Sequence, residues 1–249
     1  MLIIVNADDL GGSEVINNET FAMMEAGLIT SATLMANGPA FEDAVKRSRR
    51  FPNCSFGVHL NLTSFAPLSS SKSLDPILRA GKFYRELLSQ RLSGELRNAL
   101  EQELKLQVKR VIDAGVPVSH FDSHHFIHSS KQLFFVVKAV QRQFGIRKVR
   151  CTHEVFSGKS LIHVAKRKVA DYGLRNIYKT ASPDCCCEFR KFHSVLIQNR
   201  LPNLRCLELL MHPGSTSPDY IKDVNLLKSN WQDRLPLNAV MGSYHLLEF

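Results

Sequence analysis

Four of the ten histidines, His120, His124, His125 and His128, fall within nine residues of one another, beside Asp122. Imidazole ligates transition metals and exchanges protons near neutral pH, so this cluster reads as metal or acid–base chemistry rather than as scattered surface histidines. The spacing does not say which of the four does what. Two adjacent carboxylates, Asp8 and Asp9, follow an unbroken apolar run at the start of the chain. One of them could cap the next helix. Held side by side, however, two carboxylates repel unless a proton or cation lies between them, and a metal is their natural companion. His59, in Gly57-Val58-His59-Leu60-Asn61, and His212, in Met211-His212-Pro213-Gly214, also close apolar stretches. Alone, His59 reads equally as a core residue or a ligand. With Asp9 and the histidine cluster it becomes a ligand candidate.

These residues need a scaffold that brings segments far apart in sequence to one rim, and the hydrophobic periodicity supplies one. Residues 2–6, 30–36, 118–122, 147–152 and 206–211, and a stretch ending at 56–60, read as strands. Residues 14–26, 41–50, 94–114, 133–144, 161–172 and 220–227 have helical spacing. The clearest helix sets Leu96, Leu100, Leu104, Val108, Val111 and Ile112 on one stripe before Gly115 and Pro117 stop it. Strand followed by helix, repeated, predicts a parallel sheet covered by helices. In such folds reactive side chains gather at the C-terminal strand ends, where Asp8, Asp9, His59, the histidine cluster and His212 all stand. The polar stretch 63–82 is too long for a simple connection and is expected to be a functional or mobile loop.

With 44% hydrophobic and 22% charged residues, the 249-residue chain has an ordinary globular composition, and one domain over 1–249 is expected. The N-terminus has no basic region and meets two carboxylates by residue 9, unlike a secretory signal. No apolar run approaches the ~18 residues of a membrane span. The six cysteines include the adjacent triplet Cys185, Cys186 and Cys187, which is no disulfide framework, so free thiols and a cytoplasmic setting are expected. The net charge of +9 invites a nucleic-acid or acidic-polymer partner. Yet Lys46-Arg47-Ser48-Arg49-Arg50, Lys109-Arg110, Arg147-Lys148 and Lys166-Arg167-Lys168 fall mostly on helices or their ends, where a solvated face is the usual explanation. No recognised nucleic-acid motif accompanies them, and no nucleic acid is expected. Oligomeric state is not fixed by the sequence, with a homodimer as one outcome.

The motifs together resemble a known family. Val5-Asn6-Ala7-Asp8-Asp9-Leu10-Gly11, Gly57-Val58-His59-Leu60-Asn61-Leu62-Thr63, Ser119-His120-Phe121-Asp122-Ser123-His124-His125 and Met211-His212-Pro213-Gly214 are similar, in order and across nearly the whole chain, to the successive motifs of the YdjC-like carbohydrate deacetylases. Gly27-Leu28-Ile29-Thr30-Ser31-Ala32-Thr33-Leu34 resembles the family's second strand. Phe126 departs from it, standing where the family often has a third histidine, and residues 148–205 look atypical. The resemblance implies a distorted TIM-like α/β barrel, Asp9, His59 and His124 as ligands of one divalent metal, usually magnesium, and Asp8 and His212 as catalytic residues. It implies hydrolysis of the acetamide of an N-acetylated sugar, a small carbohydrate substrate.

One carboxylate and two imidazoles leave open positions on an ion, where water loses a proton more easily and an amide carbonyl is polarised. Asp8, beside Asp9, would take that proton, and His212 would protonate the departing amine or steady the oxyanion. By ligand softness the set suits zinc, cobalt or manganese better than magnesium. Two other readings use the same rim: a metal-dependent phosphoesterase drawing an anionic substrate by its positive charge, and a silent barrel that binds an anionic polymer.

Overall fold

The first strand, β1, runs from Leu2 to Leu10 and so contains both acidic residues instead of ending before them. It is longer than its apolar run because neighbours hold it on both sides, as far as Ala7 on one and Leu10 on the other. The computed structural model describes residues 1–89, 91–152, 169, 171–173 and 175–248. In chain order, α1 (Glu14–Glu25), β2 (Ser31–Leu34), α2 (Phe41–Ser48) and β3 (Ser55–Leu60) follow, then a short antiparallel pair, β4 (Leu78–Arg79) and β5 (Lys82–Phe83). After these come α3 (Gly94–Asp113), β6 (Val118–Ser123), α4 (Phe134–Phe144), β7 (Cys185–Glu188), α5 (Phe189–Ile197), β8 (Cys206–Met211), α6 (Pro218–Leu227) and β9 (Val240–Gly242).

The large sheet is parallel, in the order β6-β3-β2-β1-β8-β7, with β9 against the first residues of β1. Its two edges meet. Phe121 of β6 bridges Val149, and Lys148 bridges Ala181, four residues ahead of β7. Residues 147–150 and 181–188 thus complete a ring, the distorted TIM-like barrel expected from the sequence, and among the described residues closure leaves no long unpaired edge. The strand expected at 147–152 is reduced to these bridges. The helix expected at 161–172 and the basic run 166–168 fall largely or wholly outside the described residues.

Period-two alternation sorts the strands' side chains. Ile3, Val5 and Ala7 join the apolar core beneath the helices, together with the α3 stripe from Leu96 to Val111; Ile112, expected on that stripe, is exposed. Asn6 and Asp8, Thr33, His59, Asp122 and Glu208 instead belong to one buried polar network. The caps agree with the sequence: Ser13 and Ser93 accept from the amides of Ile16 and Leu96 at the starts of α1 and α3.

Two segments depart from the sequence reading. The stretch 63–82 is not a free loop: it contains a 3-10 helix, Lys72–Ile77, and the β4–β5 hairpin, and it buries Leu74, Ile77 and Phe83. The buried Glu103 of α3 fixes it by accepting from the amides of Leu68 and Ser69 at 3.1 and 2.7 Å. The cysteine triplet is strand β7, fully buried, with Cys185 and Cys187 in the main core and Cys186 packed against Cys151 and Leu210. All six cysteines are free thiols. Burial raises the pKa of Cys185 and Cys206, so these two are core-filling groups rather than nucleophiles. No helix of the described residues is long and apolar enough to cross a membrane.

Candidate metal centre and active site

Asp9 has left-handed backbone, φ 65°, which Asp tolerates better than most residues at an expense of about 1–3 kcal/mol. The Asp9 carbonyl accepts from the Gly12 amide at 2.8 Å, closing a tight turn into α1. The two neighbouring carboxylates go to different partners. Asp9 Oδ1 lies 3.1 Å from His59 Nε2 and 2.8 Å from His124 Nδ1. Its geometry to these nitrogens is not that of hydrogen bonds: Oδ1 is buried and has no hydrogen-bond partner. Two imidazole nitrogens and a carboxylate oxygen this close together are a donor set that fits a bound cation. The donor atoms of Asp9, His59 and His124 all lie within 4.8 Å of one another.

The surroundings orient these donors. His59 is buried and its Nδ1 is 2.7 Å from Asp122 Oδ1, so the ring donates there and leaves Nε2 facing Asp9. Thr33 Oγ1 donates to Asp122 Oδ2 at 2.9 Å, holding that carboxylate in turn. Burial alone would lower the His59 pKa, but Asp122, Asp9 and Asp8 outweigh it and push it up to about 10. Burial works against the Asp9 charge too, yet His124 and His59 hold its carboxyl well below the usual range.

Asp8, Asp122 and His59 form a second convergent group, but the protein's own cation fills it. Arg150 is fully buried and forks onto Asp8, with Nη1 2.8 Å from Oδ2 and Nη2 2.6 Å from Oδ1. The same Nη2 is 2.8 Å from Asp122 Oδ2, and Nε donates to Glu208 Oε1 at 3.0 Å. Tyr244 donates to Glu208 Oε2 at 2.7 Å. Burial opposes the Asp8 charge, but Arg150 overcomes it and keeps the carboxyl far below its ordinary pKa.

On the other side of Asp8 stands His212, its Nε2 3.7 Å from Asp8 Oδ2 and its ring stacked on Tyr220 at 4.0 Å. The turn beyond it needs glycine: Gly214 has φ 75°, and a Cβ there would meet the Ile16 backbone at 2.9 Å. The barrel thus presents Asp9, His59 and His124 together, with Asp8 and His212 adjoining them.

The histidine cluster separates. Only His124 reaches Asp9 and His59. His120 points beneath the site, stacked on Tyr244 at 3.5 Å, and burial together with Arg150 drives its pKa well down. Gly57 makes room for it, since a Cβ would sit 2.7 Å from His120 Cε1. His128 Nδ1 pairs with Ser123 Oγ at 2.5 Å. His125 is at the rim with Nδ1 2.9 Å from Thr63 Oγ1, and burial and His124 lower its pKa to about 4, leaving it neutral. Sequence reasoning gave no role to Arg150, Asp122, Glu208, Thr33 or Tyr220. One of them had a signal, because Glu208 is a lone charge inside the strand-like apolar run 206–211.

A model of the YdjC-like protein family matches residues 2–237. A carbohydrate deacetylase of Geobacillus stearothermophilus is 38% identical over 149 residues, 59% of this chain and 59% of that protein. A chitooligosaccharide deacetylase of Klebsiella pneumoniae is 30% identical over 215 residues, 86% of this chain and 81% of that protein. The match thus spans about three fifths of the length of the G. stearothermophilus relative and over four fifths of the K. pneumoniae one. The crystal structure of an Enterococcus faecalis V583 protein named for cellobiose-phosphate cleavage superposes with a TM-score of 0.79 over 99% of both chains at 20% identity, which establishes the shared fold. With the motifs in order along a closed parallel barrel and the family match running from β1 to beyond α6, the chain belongs to the YdjC-like protein family.

Proposed function

We propose that this protein, as one domain over 1–249, is a metal-dependent deacetylase that removes the acetyl group from an N-acetylated sugar or oligosaccharide. The observation that carries the reading is the grouping of the donor atoms of Asp9, His59 and His124 within 4.8 Å of one another, with Asp8 and His212 adjoining. The relatives named as carbohydrate and chitooligosaccharide deacetylases support the substrate class. Asp9, His59 and His124 would hold one divalent ion, and the two imidazoles favour zinc, cobalt or manganese over the magnesium of the family resemblance. The ion, when bound, lowers the pKa of water and polarises an amide carbonyl. Asp8, kept ionised and aimed by Arg150, accepts the proton of the attacking water. The water oxygen joins the carbonyl carbon, the C–N bond breaks, and His212 protonates the leaving nitrogen, giving acetate and a free amine. Six free thiols support a reducing, cytoplasmic setting. The test is acetate release from N-acetylated oligosaccharides, lost on chelation; phosphate release from phosphoesters in its place would overturn the reading.

Metal binding has a defined pH dependence. His59 carries a proton up to about pH 10 without an ion, and ligation at Nε2 displaces it. Affinity should therefore rise as pH rises, about tenfold per unit between neutrality and pH 9, with one proton released per ion. Calorimetry in two buffers of different ionisation enthalpy measures that proton, and a pH-independent affinity would remove His59 from the ligand set.

If His212 supplies the leaving-group proton, the rate should fall on the alkaline limb as its imidazolium deprotonates. His212→Ala should then abolish that limb and reduce kcat by about 10²-fold or more. A variant retaining both rate and limb would make His212 structural.

A further inference from the structure

At the N-terminal end of the barrel, opposite the metal centre, Arg147, Arg175, Lys179 and Arg205 line a cleft of about 530 Å³ with Glu248 as its one acidic lining residue among the described residues. Three chain segments deliver these cations: the residues before the 148–149 bridges, the turn leading into 181, and the residue that precedes β8. Several basic residues elsewhere have a carboxylate partner, while Arg49 and Lys148 donate to backbone carbonyls. Arg47 has Asp43, Arg50 has Glu25, Lys109 has Asp113 and Arg110 has Glu42, each within 4.0 Å.

The cleft differs. Among the described residues, neither Arg147 nor Lys179 has a carboxylate within 4.0 Å; Arg147 lies only over the ring of Tyr178, at 5.3 Å. Arg175 and Arg205 share the single carboxylate of Asp184 at 3.9 and 3.5 Å. Arg175 Nε is buried without a hydrogen-bond partner. Tyr178 and Lys179 both have positive φ, 73° and 38°, so the turn that presents Lys179 is held in a conformation side-chain-bearing residues seldom adopt. Four cations face only two carboxylates, Glu248 and Asp184, among the described residues, so the cleft keeps an excess of positive charge, and a strained turn that adds a cation raises the repulsion. A bound anion would relieve it.

The geometry points to a phosphate-binding site in this cleft, one that takes a small phosphate-bearing molecule and is separate from the deacetylase centre. Guanidinium forks match phosphate oxygens in two-point contacts, and the lysine adds a point charge. The concave shape favours a small ligand over a polymer, which would need an extended basic stripe. The cleft also adjoins the centre through the backbone. Arg147 accepts from the Ala181 amide through its carbonyl, and three residues further on Arg150 forks onto Asp8.

The test is titration of the metal-loaded protein with inorganic phosphate and with ADP, using wild type, R147Q/K179Q and D9N. One saturable site per chain is expected, weakening with added salt. R147Q/K179Q should weaken binding by about 10²-fold, roughly tenfold for each charge-assisted contact removed. D9N should leave it unchanged, which separates this site from the metal centre and from the deacetylase reading. Both altered side chains are exposed, so acetate release should be unchanged in R147Q/K179Q; if that variant does not fold, R205E carries the same comparison. Tighter binding of ADP than of phosphate assigns a nucleotide, and equal binding assigns free phosphate. Absence of saturable binding, loss of binding in D9N with retention in R147Q/K179Q, or capture of a single-stranded oligonucleotide but of neither small probe would overturn the proposal.

Discussion

Replacing Asp8 with Asn should lower kcat by about 10²–10⁴-fold while one divalent ion stays bound per chain. The two halves of the expectation come from different parts of the site. Asp8 does not belong to the Asp9, His59 and His124 group, whose donor atoms lie within 4.8 Å of one another, so the ion should remain. Both Asp8 oxygens are engaged by Arg150 at 2.8 and 2.6 Å, and Asn keeps the shape but loses the charge and the ability to take a proton. Because Arg150 holds the Asp8 carboxyl far below its usual pKa, no acid limb near neutral pH should belong to Asp8. Loss of activity on acidification should instead follow the return of a proton to His59 and departure of the ion. Metal content by elemental analysis, beside steady-state kinetics, distinguishes the cases. An Asp8→Asn enzyme with full metal and kcat within about threefold of wild type would exclude Asp8 from proton transfer.

The parallel α/β sheet was legible because strand and helix periodicities alternate cleanly, its closure into a barrel only through the family resemblance, and the rim because its polar side chains follow strands. Asp9, His59 and His124 could be placed at three strand ends from sequence, but their selection from the histidine cluster rested on family resemblance. Spacing alone does not separate His124 from His120, His125 and His128. The structure does so through the left-handed backbone of His125 and Phe126, φ 53° and 57°, which turns the chain just after His124. Strand β7 was not legible in the sequence because Cys185, Cys186 and Cys187 read there only as free thiols, although buried free thiols behave as small apolar groups that can fill a strand. The stretch 63–82 looked like a loop because its anchor is a glutamate on another element, Glu103, and long-range pairing leaves no local pattern. Arg150 was hidden for the same reason: its partners Asp8, Asp122 and Glu208 are 142, 28 and 58 residues away and identify it only once the ring closes.

Arg150→Met should destabilise the fold by about 3–5 kcal/mol, the usual penalty for leaving buried charge uncompensated. One guanidinium meets Asp8, Asp122 and Glu208 at 2.6, 2.8 and 2.9 Å, and all of these side chains are buried. Methionine fills much of the volume but neutralises none of the carboxylates. The pH dependence gives the mechanism a sign. In wild type Asp8 has a folded pKa below its ordinary value of 3.8, so its stabilisation is present above that pH and is lost as pH falls through the folded value. Without Arg150, burial dominates and raises the folded pKa values of these carboxyls above their unfolded ones, so the native variant binds more protons than the unfolded chain. Its stability should then rise as pH falls from 7 toward 5, and its deficit against wild type should shrink. Adding Glu208→Gln should recover part of the loss, because burial already raises the Glu208 pKa and removing its charge lessens the uncompensated excess. Urea unfolding of wild type, the single variant and the double variant at both pH values reads all three effects. A deficit under about 1 kcal/mol, or one that grows on acidification, would show that Arg150 contributes by packing rather than by holding three carboxylates together.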